Sequence, residues 1–521
     1  MISKFLSHKN KIFILFLFFF SIIINQYYGN RGAFPMDSFH FFDSGYRVLN
    51  GDLPFIDYWL VKGLLLDYIQ AVLFYIFGVS WQSYVLHASL INALITISTF
   101  FVLKNFKLKT AYCFFYSLLF SILAYPSSGT PFVDHHSAFF SLLGIYSLLL
   151  AINNQRKLYW SLIPVFLGLA FFSKQVPATY IILSIGFILF LYSVVNKKFD
   201  SIVYSLASSV FFVFFIFIFG KFQGIALSSF LDQYIFYPQT IGAERFKNLD
   251  LNPKNIVGNF ILIYLAITPL LYANLKKIFT NKNYIKHNDF YIFLVLFFLT
   301  HSLILHQLLT KNQTFIFFLI PILTAFSHIS LNENKLKFKQ PILWIIILIC
   351  LFATFKYHLR YNENRKFHEL KNANFELAVD AKKIHKKLSG LNWITPQFKK
   401  NPEKEIKIIN NIESLLKKDS RNKMLITNYP FFSIILDQQL SSPSRVYTGD
   451  GTTHPLKDSE YEANYKELMN DIILRKNISV IYVINETSKN TNFHYVDLYR
   501  NCFEEISLLD QLKSYELKNC G

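Results

Sequence analysis

Apolar runs of membrane-spanning length recur through the first two thirds of this chain, from about residue 11 to residue 357. No other feature limits the fold as strongly. A bilayer core needs about 20 apolar residues per helix, and a lipid-exposed backbone must satisfy its own hydrogen bonds. The runs fall at about 12–25, 82–103, 110–125, 137–153, 158–173, 176–195, 202–220, 256–275, 289–307, 313–330 and 341–357. They imply a polytopic α-helical membrane protein of about 11 transmembrane helices. After residue 357 the sequence turns polar and lysine-rich. Only 16% of the 521 residues are charged, against about a quarter in a soluble protein.

The formal charge of +19 reads as topology. Each expected cytoplasmic turn carries at least two basic residues, as at Lys104, Lys107 and Lys109, at Arg156 and Lys157, at Lys197 and Lys198, at Lys276 and Lys277, and at Lys335, Lys337 and Lys339. Outer turns carry fewer for their length. By the positive-inside rule the N-terminus is cytoplasmic, and an odd helix count leaves the C-terminal domain extracytoplasmic. The expected location is a bacterial inner (plasma) membrane, multi-pass. No nucleic-acid partner is expected. The first run has a basic flank, Lys4, Lys9 and Lys11, but no small-residue cleavage site after it, so it reads as an uncleaved helix.

The expected domains are a membrane domain, 1–357, with a first outer loop at about 28–80, and a soluble extracytoplasmic α/β domain, 358–521. In the latter, Lys423–Asn428 and Ser479–Asn485 read as buried strands, with a helix at Glu460–Lys476 between them. A further helix is expected at Asn372–Leu388. Cys502 and Cys520 lie there, and the sequence leaves open whether they pair.

The first outer loop is dense in polar residues: Asp37, Asp43, Asp52, Asp57, Tyr58, Lys62 and Asp67. Such a segment cannot lie bare in hydrocarbon. Leu64–Phe77, short and apolar, reads as an interfacial helix. A carboxylate early in the loop suits a general base, and a lysine about 25 residues later suits a phosphate, together fitting transfer from a lipid phosphate. Outside the loop, Asp134, His135 and His136 open an outer helix end. They have the donors for a sugar or a divalent metal, though an Asp there also caps a helix.

The loop resembles that of the GT-C class of membrane glycosyltransferases, and is similar to the protein O-mannosyltransferase and lipid A aminoarabinose transferase branch (glycosyltransferase family 39-like). In that pattern an Asp-Glu pair is followed by Leu-x-Gly, a proline with aromatic residues, and Lys-Pro-Pro-Leu. Here Asp37, Leu49 with Gly51, Pro54 and Lys62 stand at the corresponding positions. Ser38 replaces the second acid, and Gly63-Leu64 replaces Pro-Pro. Gly168–Gln175 resembles a Gly-Leu-Ala-x-x-Thr-Lys segment, and Lys311 with Phe315–Pro321 a basic residue before a proline-containing helix.

The resemblance implies an inverting glycosyltransferase that moves a sugar from a polyprenyl-phosphate donor to a glycan, lipid or protein acceptor at the outer face of the membrane. Asp37 is the expected catalytic base. Lys62, Lys174, Lys311 and Arg245 are the expected phosphate ligands. Asp43, Asp57, Tyr58, Asp134, His135 and His136 are expected to line one substrate cavity. The cofactor is unassigned, with a divalent metal open. Alternatives are an O-antigen-type polymerase or ligase, and a transporter or lipid flippase. The first depends on loop arginines, of which only Arg31, Arg47 and Arg245 are available. The second favours repeats and midplane ionisable residues, which the sequence does not show.

Overall fold

A computed structural model describes residues 8–311, 316–333, 339–485 and 503–517. Cys502 and Cys520 lie outside the described residues.

Among the described residues, ten helices are long and apolar enough to cross a membrane, from Asn10–Gly29 to Lys339–His368. The helix Lys157–Ser173 is apolar and shorter, at 17 residues. With it, the described helices correspond one to one to the eleven apolar runs. Their burial differs sharply. Val133–Asn154 is buried along nearly all its length, whereas Asp200–Phe222 buries only Ser201 and Ser205, so the first is enclosed by other helices and the second presents Val210, Phe211 and Phe214 outward.

The chain divides into two compact units that interleave in sequence. The membrane unit comprises residues 1–29, 88–217 and 248–367. The loop unit comprises residues 30–87, 218–247 and 368–521. The hydropathy division at residue 357 is linear, and these units are not.

Within the membrane unit, small polar side chains join helices. Asn25 donates to Ser89 Oγ (3.0 Å) and to the Gly129 carbonyl (3.1 Å). Asn92 bridges the Ser21 and Ser121 carbonyls, each at 3.2 Å. In an apolar setting such bonds fix helix register, because the groups have few other partners. Gly129, at φ +74°, lies where an added Cβ would meet the Gly29 backbone at 2.5 Å.

The loop unit is assembled from three distant stretches. The first-loop helices His40–Leu49 and Leu64–Phe77 pack on each other. Gly63 holds φ +83° just before the second of them, a conformation proline cannot adopt. That is the local reason for its departure from Pro-Pro. A four-stranded sheet follows the order Lys423–Thr427, Val480–Ile484, Leu512–Leu517, Phe503–Leu509. The first pair is parallel, joined through the helix Glu462–Arg475, and the others are antiparallel. The expected strands and helix are thus present. All five residues of each of the first two strands are buried. Their core includes Trp59 from the first loop and Tyr237 from the segment 218–247.

One expected element is absent. Asn372–Leu388 forms short 3-10 turns and a two-residue strand, Val379–Asp380, rather than an α-helix. Asn374, Asp380 and His385 each accept a hydrogen bond from the backbone N–H two residues on. Such local bonds compete with the helical ladder, and they override the Lys- and Ala-rich composition. The helix Pro402–Lys418, with Asn401 as its cap, is an element the sequence reading did not find.

Candidate functional site

Two polar clusters stand out, one in each unit. In the loop unit the centre is Asp67, fully buried on the helix Leu64–Phe77. Asp67, Gln70, Ala71 and Phe74 share the buried face at helical spacing. The Asp67 carboxylate pairs with Arg445 and accepts from Ser44 Oγ (2.5 Å) and Tyr58 Oη (2.8 Å). Burial raises the Asp67 pKa despite the guanidinium. Arg445 also donates to the Lys62 carbonyl (2.7 Å), meets His40 Nε2 at 3.3 Å, and lies over the rings of Phe41 and Tyr58. Burial, then the charges of Arg445 and Lys62, hold His40 well below its usual pKa. A positive charge on it is therefore disfavoured.

A second network adjoins it. Arg47 is buried and donates to Asp52 (2.8 Å), to the Ser442 carbonyl (2.7 Å) and to the Asp57 carbonyl (2.9 Å). Asp57 accepts from the Leu53 N–H (2.7 Å) and from Arg475 (2.8 Å), with Lys476 at 3.1 Å. Burial opposes its ionisation, but these donors outweigh it and lower the pKa. Asp43 is buried on the helix His40–Leu49. Burial pushes its carboxyl up to about 6, against the pull of Arg47.

Asp37 lies on the short helix Pro35–Ser38 and is partly buried. Its neighbour Ser38, at the position of the second acid, accepts from the Phe34 N–H (3.0 Å) and meets His368 Nδ1 at 3.3 Å. The hydroxyl thus ties the turn that carries Asp37. Lys62 is half-buried and shares a small cavity with His40, Trp59 and Arg445. Arg245, on the helix Tyr237–Lys247, is half-buried.

In the membrane unit, Asp134 receives two partners: Lys174 Nζ at 2.6 Å and His306 Nε2 at 2.7 Å. Lys174 sits just beyond the helix Lys157–Ser173, held by Ser137, whose hydroxyl donates to the Lys174 carbonyl at 3.0 Å. The expected phosphate ligand thus already faces a carboxylate, and a phosphate would have to compete with it. His135 and His136 turn to other partners. His135 Nε2 meets Ser127 Oγ at 2.9 Å, and His136 Nδ1 meets the Tyr125 hydroxyl. Arg365 donates to the carbonyls of Pro126, Ser127 and Ser128, fixing the turn that precedes Asp134. Lys311 caps the helix Asn288–Thr310 in a left-handed conformation and is exposed. Among the described residues, no group of three His, Cys, Asp or Glu side chains is placed to hold a metal.

The structure therefore joins Asp134 with Lys174, and Lys62 with the loop unit's buried charges. The sequence reading missed His40, Asp67, Arg445 and His306. Two had a signal. Asp67 interrupts the apolar stretch Leu64–Phe77 near its start, and His306 stands at the end of the run 289–307. Arg445, in a polar segment without a motif, had none.

Residues 61–219 match the family described as dolichyl-phosphate-mannose-protein mannosyltransferase. No curated protein matches the chain in sequence. In structure it is similar to ArnT from Cupriavidus metallidurans. The apo form gives a TM-score of 0.53 at 12% identity, covering 98% of each chain. The form bound to undecaprenyl phosphate gives 0.50 at 8% identity, covering 99% of each. The oligosaccharyltransferase of Archaeoglobus fulgidus, in complex with zinc and sulfate, gives 0.47 at 12% identity, over 97% of this chain and 73% of that one. The chain thus shares the fold of ArnT, and its residues 61–219 match the mannosyltransferase family.

Proposed function

We propose that this protein transfers a sugar from a polyprenyl phosphate to a glycan, lipid or protein hydroxyl at the outer face of the membrane. The observation that carries the reading is the fold shared along almost the whole chain with ArnT, one structure of which holds undecaprenyl phosphate. The match to a mannosyltransferase family over residues 61–219 supports the donor class.

Asp37 takes the proton of the acceptor hydroxyl as its oxygen forms the new bond to the anomeric carbon. The bond from that carbon to the phosphate oxygen breaks on the opposite face, so the configuration inverts and polyprenyl phosphate leaves. Lys62, with Arg245, stabilises the charge on the departing phosphate. Lys174 and Lys311 are further phosphate candidates, and Asp134 holds the first of them in place. Asp43, Asp57 and Tyr58 shape the loop that carries Asp37 and Lys62, and act through its geometry.

The test is to reconstitute purified protein in vesicles with radiolabelled polyprenyl-phosphate sugars and candidate acceptors. The reading expects label in the acceptor and free polyprenyl phosphate. Label that crosses the bilayer with the sugar-phosphate bond intact would instead make the protein a transporter.

A further inference from the structure

The segment Tyr447–Pro455 reads Tyr-Thr-Gly-Asp-Gly-Thr-Thr-His-Pro and belongs to the loop unit. It is pinned at both ends. Asn428 donates to the Tyr447 carbonyl (3.1 Å) and accepts from the Tyr447 N–H (2.7 Å). Tyr237 donates to the His454 carbonyl (2.6 Å) and to that of Gly451. Tyr237 also packs edge-on against Trp59, with ring centroids 5.6 Å apart. Between the pins only Gly449 and Asp450 are exposed.

The Asp450 side chain is nonetheless fixed. Its Oδ1 accepts from the Thr452 N–H (3.1 Å) and from the Thr452 hydroxyl (2.7 Å). The Thr448 hydroxyl lies 3.2 Å from that of Thr452 and 3.1 Å from that of Thr453. One carboxylate and three hydroxyls thus gather on a short stretch of chain. Thr452 and Thr453 line the small cavity that also holds Trp59 and Lys62, so the carboxylate is bonded to a wall of the Lys62 cavity. Partial burial raises the Asp450 pKa, but the bonds from Thr452 and Thr448 and the Lys62 charge outweigh it and lower the pKa. Asp450 is therefore ionised at neutral pH. A carboxylate beside a phosphate-stabilising lysine repels a phosphate itself. It suits the neutral group that the phosphate carries. Sugar hydroxyls donate to a carboxylate in charge-assisted bonds, and threonine hydroxyls both donate and accept.

We infer that Asp450, with Thr448 and Thr452, recognises ring hydroxyls of the donor's sugar and so determines which sugar the protein accepts. The inference rests on the proposed function for the phosphate at Lys62 and goes beyond it in naming what selects the sugar.

The test measures how much the sugar adds to binding. Purified full-length protein in nanodiscs is titrated with bare polyprenyl phosphate and with polyprenyl phosphates carrying mannose, glucose, galactose or N-acetylglucosamine. Wild type should bind at least one sugar-bearing form about tenfold more tightly than the bare lipid, the usual effect of a hydrogen bond to a charged group. Asp450→Ala should lose that gain and keep the affinity for the bare lipid. Asp450→Asn keeps an oxygen for the Thr452 bonds, and with them the loop, but removes the charge; it should lose part of the gain. The unfolding midpoint of each preparation separates lost recognition from lost folding. A gain that survives in both variants, an equal loss for bare and sugar-bearing lipid, or a wild type that binds no sugar-bearing form better than the bare lipid overturns the inference. A gain lost in the variants, in a wild type that transfers no sugar, would keep the recognition site and remove the transferase.

Discussion

Replacing Arg445 by Met tests how the loop unit is held together. Asp67 and Arg445 are both buried, and Asp67 has three donors, of which only Arg445 is charged. Met keeps much of the stem volume but leaves a buried carboxylate facing two hydroxyls. Removing one partner of a buried pair costs about 3–5 kcal/mol. The deficit should depend on pH with a defined sign. Burial already raises the Asp67 pKa in the folded protein, and losing the cation raises it further. A carboxyl whose folded pKa lies above its unfolded one stabilises the fold below the unfolded pKa, and that stability is lost as pH rises through the folded pKa. Arg445→Met should therefore unfold at a clearly lower temperature than wild type at pH 8 and approach it at pH 5. Adding Asp67→Leu should recover much of the loss at pH 8, because the unpaired charge is gone. Intrinsic tryptophan fluorescence on the detergent-solubilised protein reads this, since Trp59, Trp81 and Trp393 belong to the loop unit. A single variant as stable as wild type at pH 8, or a double variant no better than the single, would refute the reasoning.

Asp43→Asn should flatten the dependence of stability on pH between about 4 and 6. The wild-type carboxyl, raised to about 6, loses up to about 3 kcal/mol of stability across that window as pH rises; equal slopes in a thermal-unfolding series would contradict this. Lys174→Met should lower both the unfolding midpoint and transfer, because it strands Asp134 with His306 alone. Lys174→Arg should restore most of the midpoint in the same assay. A reporter active only in the cytoplasm, fused after Gly521, should stay silent, and activity there would reverse the proposed topology.

The membrane helices were legible because a lipid solvent imposes length and apolarity on every span, and the eleven runs show both. The strands Lys423–Thr427 and Val480–Ile484 were legible because they are buried along their whole length and so read as continuous apolar runs. Asn372–Leu388 misled because side-chain bonds from Asn374, Asp380 and His385 act over two residues, a scale that composition does not report. The place of Lys62 in the polar first loop could be read from the sequence. Arg445 could not, because its pairing with Asp67 spans 378 residues. The linear split also hid that residues 30–87 and 218–247 belong with the C-terminal segment. The bonds that join them, such as Gln233 Oε1 accepting from the Leu60 N–H at 2.9 Å, leave no trace in hydropathy.

The central claim is that Asp37 deprotonates an acceptor hydroxyl while a polyprenyl phosphate departs. Asp37→Asn keeps the size and hydrogen-bonding capacity of the side chain but cannot take the proton. The direct measurement is single-turnover transfer from a radiolabelled polyprenyl-phosphate sugar by purified wild type and Asp37→Asn, with donor binding measured on the same preparations. The account predicts a fall in rate of about 10²–10⁴-fold with donor affinity nearly unchanged, while Lys62→Ala loses affinity along with rate. Near-normal turnover by Asp37→Asn would contradict it.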